Sequence, residues 1–184
     1  MPSPVVIILA AGRGERFLAS GATTHKLDTL LNNQPVLWHI IQVVKAAGLG
    51  WHLVRPEGGT GGMGESIVPG VKATSEVSGW LILPADLPLI QPASLLHVAE
   101  GLRVKPVVVP HYQQRRGHPV GFSREYLPSL IALSGDTGAK HIVRDSRREG
   151  KVMALSLNDA GTIHDIDTWS NFHLAARLLR IRAR

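Results

Sequence analysis

Residues Val5 to Ala11, "VVIILAA", form an unbroken apolar run that stops at Gly12, where the chain turns through "GRGERF". A strand with one wet face alternates apolar and polar residues, whereas a run that is apolar at every position suits a parallel strand covered on both faces. This run predicts a first, central strand of an α/β sheet. The glycines after it let backbone amides approach a ligand closely, and consecutive amides form a pocket for anions. Arg13, Arg16 and, further on, Lys26 add positive charge. Taken alone, the turn is equally a tight bend with solvated arginines.

The rest of the chain repeats the strand-then-helix order. Gln34 to Ala47 carries apolar residues at Val36, Leu37, Ile40, Ile41, Val43 and Val44, a helical spacing with Pro35 in the first turn and Gly48 at its end. A short strand at Trp51–Val54, the glycine-rich "EGGTGGMGES" and a helix from about Ser66 to Thr74 follow. Trp80 to Leu83 reads as a second buried strand halted by Pro84. "QPASLLHVAEGLR" reads as helix, "KPVVVPHY" as strand, "SREYLPSLIAL" and "GAKHIVRDSRR" as helices, "KVMALSL" as strand, and Thr168 onward as a closing helix. Alternation of this kind predicts a mostly parallel sheet with helices on both faces. With no internal repeat or linker, residues 1–184 are expected to form one domain, since domains run to roughly 100–200 residues.

Composition narrows the function classes. No cysteine is present, so disulfides, a thiol nucleophile and cysteine-ligated metal sites are excluded. Lysine and arginine outnumber the acids by 20 to 14, which favours anionic partners. No basic-aromatic motif accompanies that charge, and nucleic-acid binding is not expected. No apolar stretch approaches the roughly 18 residues of a membrane span, so a cytoplasmic protein is the expectation.

Ligands of open α/β sheets gather at the carboxyl ends of strands, which directs attention to residues 12–16 and 84–88. The glycine turn lacks the Gly-Lys-Ser/Thr of a P-loop, and Phe17 stands where a dinucleotide fingerprint has its third glycine. In "WLILPADLPLI", Asp86 follows the buried strand, where a carboxylate can reach Mg²⁺ that also binds nucleotide phosphates; taken alone, it reads more readily as a turn former or helix cap. Asp165 and Asp167 in "IHDIDTW" form a second acid pair, with capping of the last helix as the plain alternative. Carboxylates, anion-binding amides and cations together suit metal-assisted phosphoryl or nucleotidyl transfer.

"LAAGRGERF", "HKL", "GMGES", "LPADLP", "RRGHPVGF", "SGDTGAK" and "DIDT" occur in the order found in the MobA-like nucleotidyltransferases. The chain resembles that family from about residue 5 to about residue 170, most closely its molybdenum cofactor cytidylyltransferase branch. The resemblance implies a Rossmann-like nucleotidyltransferase fold and Mg²⁺-dependent transfer of CMP from CTP to a molybdopterin-type cofactor, with release of pyrophosphate. It implies Leu9, Ala10, Ala11, Gly12, Gly14 and Ser66 at the nucleotide, with Arg16, Lys26 and Asp86 as the catalytic set. Asp86 and Asp167, less firmly Asp165, would hold the metal. Arg116, Gly117, His118 and Pro119, with Gly135, Asp136, Gly138 and Ala139, would shape the acceptor side. A recipient molybdoenzyme or its chaperone is an implied partner. "LAAG" rather than "LAGG" favours CTP over GTP. Guanylyl or sugar-phosphate transfer on the same fold, or a non-catalytic nucleotide- or pterin-binding protein, are the alternatives. The segment between residues 48 and 63 is shorter than the family pattern, which predicts a sheet lacking an element there.

Overall fold

The computed structural model describes residues 3–12, 15–22, 24–56 and 62–182, with only the backbone of Arg16. Val5–Leu9 forms β1, its three central residues buried. Beyond the turn, Glu15–Ala19 forms the short helix α1. Leu30–Leu31 (β2) and Gln34–Pro35 (β3) then pair as a small antiparallel hairpin. Asn32 and Asn33 at its tip have φ of 48° and 71°, a conformation that asparagine tolerates better than most residues.

That hairpin corrects the expected start of the next helix. Helix α2 spans Val36–Ala46, because Gln34 and Pro35 are engaged in β3. Gly48, at φ 72°, ends it as expected. Strand β4, Gly50–Val54, leads to α3, Met63–Ala73, which begins three residues before the Ser66 expected from sequence. Strand β5 covers Gly79–Pro84, α4 Pro92–Gly101 and β6 Val107–Tyr112. Arg115–Arg116 (β7) and Val120–Ser123 (β8) are strands that the sequence pattern did not announce. A 3-10 turn at Arg124–Tyr126 enters α5, Leu127–Ile131; then come α6, Lys140–Arg148, β9, Val152–Ser156, and α7, Trp169–Arg182.

The main sheet has the order β4-β1-β5-β8-β6, with β7 and β9 both paired to β6. Its longest ladders, β1 with β4, β1 with β5 and β6 with β9, are parallel. Strand β8 runs antiparallel between β5 and β6, so the sheet is mixed at its centre. Side chains alternate across β1: Val6 and Ile8 join Val36, Ile40, Leu95 and Phe172 in one core layer, whereas Ile7 joins Ile67, Val71, Leu130 and Ile142 in the other. Helices therefore cover both faces, with α2, α4 and α7 on one and α3, α5 and α6 on the other. A β1 that is apolar at every position follows from this. Between α2 and α3 the described residues contain β4 alone, at the sheet edge, in keeping with the shortened segment.

Candidate nucleotidyl-transfer site

Strands β1 and β5 lie side by side in parallel with Leu9 opposite Pro84. The ladder continues past their ends: the Ala85 N–H donates to the Leu9 carbonyl, and the Ala10 N–H to the Val54 carbonyl, both at 2.9 Å. Gly12 and Asp86 therefore emerge at neighbouring carboxyl ends. Lys26 reaches across from the loop before β2, and its Nζ lies 3.0 Å from Asp86 Oδ2. The two side chains are only 15% and 20% exposed, which shields this pair from solvent more than an ordinary surface ion pair.

A cavity of about 230 Å³ opens beside this pair, and the expected residues Leu9, Ala10, Ala11, Gly12, Lys26, Ser66 and Asp86 all line it. Gly12 needs glycine neither for its backbone angle nor for space, since a Cβ there would meet no atom of the described residues within 4 Å. Its bare flank is open to a ligand. Gly62 and Met63 bring the N-terminus of α3 to the opposite wall, where helix amides and dipole favour an anion. Ser66 lies inside α3 and donates its hydroxyl to the Gly62 carbonyl at 3.0 Å. His25, which sequence reasoning had not assigned, also lines this cavity.

A second cavity, of about 310 Å³, adjoins the first and shares Met63, Pro84 and Asp86 with it. Arg116 from β7 and His118 line it, together with Leu87, Thr162, Ile163 and Asp165. Its wall is assembled from distant segments. The Gly117 N–H donates to the Pro110 carbonyl at 2.8 Å and the His118 N–H to the Thr162 carbonyl at 2.9 Å. A Cβ on Gly117 would stand 2.6 Å from the Thr162 carbonyl oxygen, so this approach requires glycine. The peptide bond between His118 and Pro119 is cis. Buried Asp159 anchors the Thr162 segment by accepting from Gln91 N–H, Ser94 Oγ and Gly161 N–H at 2.9, 2.6 and 2.9 Å. Burial holds the His118 imidazole below its ordinary pKa; the Asp86 and Asp165 carboxylates oppose that shift and Lys140 adds to it. Its Nδ1 is buried without a hydrogen-bond partner among the described residues.

The acid pair divides. Ile166 donates its N–H to the Asp86 carbonyl at 2.9 Å and buries its side chain, which brings both neighbours close to Asp86. Asp165 lines the second cavity; Asp167 lines neither of the two. The capping alternative also has a physical form at Thr168: its Oγ1 accepts the Asn171 N–H at 3.3 Å while Asn171 Oδ1 accepts the Thr168 N–H at 2.9 Å. Gly135, Asp136 and Gly138 pack against the start of α3 and line neither of the two cavities. A Cβ on Gly62 would lie 2.2 Å from Asp136 Cα, and Glu65 donates its N–H to the Gly135 carbonyl at 3.1 Å. Gly138 packs against Met63, where an added Cβ would come within 3.0 Å of the sulfur. Gly14 and the side chain of Arg16 lie outside the described residues.

Among the described residues no three acidic or histidine side chains gather closely enough to hold a metal unaided. Mg²⁺ does not need such a cage, because it keeps waters and takes phosphate oxygens alongside one or two carboxylates. Asp86 and Asp165, both oxygen donors on one cavity, fit that habit.

A family model described as the MobA-like NTP transferase domain matches residues 43–152. Among curated proteins, the purine catabolism protein PucB of Bacillus subtilis is 27% identical over 131 residues, 70% of this chain and 63% of PucB. The chain spans less than two thirds of the length of the curated relatives it matches. Among solved structures, a nucleotidyl transferase from Methanothermobacter, Mth528, superposes with a TM-score of 0.79 at 19% identity, covering 99% of both chains. Rv0371c of Mycobacterium tuberculosis superposes with a TM-score of 0.78 at 22% identity, covering 96% of this chain and 98% of its own, and has also been solved with manganese. These likenesses establish a Rossmann-like nucleotidyltransferase fold. No helix among the described residues is long and apolar enough to cross a membrane.

Proposed function

The chain belongs to the MobA-like NTP transferase family, and from that premise we propose that it transfers CMP from CTP to a molybdopterin-type acceptor, with Mg²⁺ bound and pyrophosphate leaving. The observation that carries this reading is the meeting of two cavities at Asp86. One is lined by bare backbone, a lysine and a helix N-terminus, which suits a triphosphate. The other offers Arg116 and His118 beside apolar Leu87 and Ile163, which suits a flat acceptor bearing a phosphate.

In this reaction an acceptor phosphate oxygen attacks the α-phosphorus in line. A new P–O bond forms as the bond to the bridging oxygen of pyrophosphate breaks. Catalysis then rests on positioning and charge neutralisation rather than on a covalent enzyme intermediate. Mg²⁺, held by Asp86 with Asp165 or Asp167, would offset phosphate charge. Lys26, paired with Asp86, is placed to turn to the departing pyrophosphate, with Arg16 and Gly14, which follow β1 in the sequence, as further phosphate ligands. Arg116 orients the acceptor phosphate. His118, held neutral by burial, serves as an acceptor contact beside Gly117 and Pro119. Gly135, Asp136 and Gly138 brace α3 and so shape the acceptor side through Met63. Ala11, where the guanylyl pattern has glycine, lines the nucleotide cavity beside Ala10, and that difference supports CTP over GTP.

The test is pyrophosphate release from CTP, GTP, ATP and UTP, each with Mg²⁺ and metal-loaded molybdopterin. CTP is expected to exceed GTP by at least about tenfold in kcat/KM, about 1.4 kcal/mol of discrimination. Preference for a purine would overturn the nucleotide assignment, and turnover with a different phosphorylated acceptor would overturn the pterin.

A further inference from the structure

His25 stands between two parts of the phosphate cavity, Gly12 beyond β1 and the loop that presents Lys26. Its Nδ1 accepts the Leu27 N–H at 3.1 Å, and its Nε2 lies 2.8 Å from the Gly12 carbonyl oxygen. A neutral imidazole has one accepting and one donating nitrogen, so these contacts fix the tautomer: the proton sits on Nε2 and is donated to Gly12. The ring thereby ties the Lys26 loop to the end of β1, while Lys26 itself ties that loop to Asp86 at the end of β5.

The far side of the loop is already firm. The His25 carbonyl accepts the Asp28 and Thr29 N–H groups at 3.0 and 3.1 Å, and buried Leu27 accepts the Leu37 N–H at 3.0 Å through its own carbonyl. The bond to Gly12 acts in the other direction, across 13 residues, at the residue whose open flank faces the cavity. A carbonyl oxygen directed at phosphate would repel it. Donation from Nε2 satisfies the Gly12 oxygen and holds it to the loop.

We propose that His25 is a positioning residue for the polyphosphate: its imidazole bridges Gly12 and Leu27, and so sets Lys26 and Gly12 at one separation. This rests on the reading of that cavity as the phosphate site. Two conservative replacements separate the halves of the bridge. Asparagine keeps an oxygen near the position of Nδ1, able to accept the N–H two residues on, and lacks the reach to Gly12. Glutamine carries a donor near the position of Nε2.

The probe is inorganic pyrophosphate with Mg²⁺, whose binding depends on neither the base nor the acceptor. Binding is measured by calorimetry on the full chain carrying His25→Ala, His25→Asn, His25→Gln or Lys26→Ala, with the Tm of each ligand-free protein. Wild type binds and Lys26→Ala weakens binding. His25→Ala and His25→Asn are expected to raise Kd about tenfold, the scale of one lost hydrogen bond. His25→Gln stays within about twofold of wild type, and His25→Asn keeps the wild-type Tm. If Lys26→Ala weakens binding while His25→Ala does not, the bridge is overturned alone. Asparagine restoring affinity where glutamine fails overturns it likewise, since the local turn would then suffice. Wild type failing to bind, or Lys26→Ala binding normally, overturns the phosphate reading and the bridge with it.

Discussion

The two walls that meet at Asp86 are built by different means. The proposed nucleotide wall comes from the carboxyl ends of adjacent parallel strands, β1 and β5, whose separation is set by a continuous backbone ladder. The proposed acceptor wall is a set of short segments, the β6–β7 hairpin, His118 and residues 162–165, held by scattered contacts such as Gly117 on Thr162 and Asp159 on Gln91 and Ser94. On the proposed reading, phosphate chemistry common to many substrates sits on the regular scaffold, and recognition that differs between substrates sits on loops, which change without disturbing the sheet.

The residue common to both walls gives the most severe way to break this comparison. Asp86→Asn keeps the size of the side chain and removes its charge, and kcat is expected to fall about 100- to 1000-fold, the range for loss of one key electrostatic group. The loss should appear with either substrate saturating. Activity within about tenfold of wild type in a steady-state pyrophosphate assay would shift the metal role to Asp165 or Asp167 and divide the walls from each other.

The same contrast explains what the sequence could reveal. Val5–Ala11 and Trp80–Leu83 announce themselves as buried strands because both faces are covered, and Asp86 follows as the acid at a strand end. Strand β8 is four residues with Gly121 in it, too short to show a period. The β6–β7 turn uses Gln113 and Gln114 at φ of 47° and 68°, residues that do not advertise a tight hairpin, whereas Asn32 and Asn33 at the β2–β3 turn do. The location of "SGDTGAK" against the start of α3 depends on Gly62 and Gly64 admitting that loop's backbone, a long-range fit with no local trace. Which acid of "DIDT" enters the second cavity is likewise set at a distance, by Ile166 donating to the Asp86 carbonyl. His25 escaped assignment because its partners are backbone groups, invisible in a residue pattern.

A milder variant sharpens the comparison from the acceptor side. Arg116 is exposed on β7 and lines only the second of the two cavities. Arg116→Ala should raise KM for the acceptor about tenfold, as expected for one lost charge-assisted hydrogen bond of roughly 1.5 kcal/mol. KM for the nucleotide and the Tm should stay near wild type. Equal increases in both KM values would mean that the two cavities act as one.

The smallest effect concerns the stability of the acceptor wall. Burial lowers the folded-state pKa of His118 from 6.5, so between the folded value and 6.5 the unfolded chain holds a proton that the folded chain lacks. Stability therefore rises with pH through that window. It is fully present above about 6.5 and declines as pH falls toward the folded value, because protonation would put a cation on a buried ring whose Nδ1 has no partner among the described residues. Asp86 and Asp165 narrow the window by favouring the charged ring, and Lys140 widens it. Urea midpoints measured without divalent metal at pH 7.5, 6.5, 5.5 and 5.0 should fall less steeply in His118→Gln than in wild type below pH 6.5, with the two curves parallel above it. Parallel curves throughout would show that the ring crosses from water to protein without a shift. The acceptor wall would then be as open to solvent at His118 as it is at Arg116.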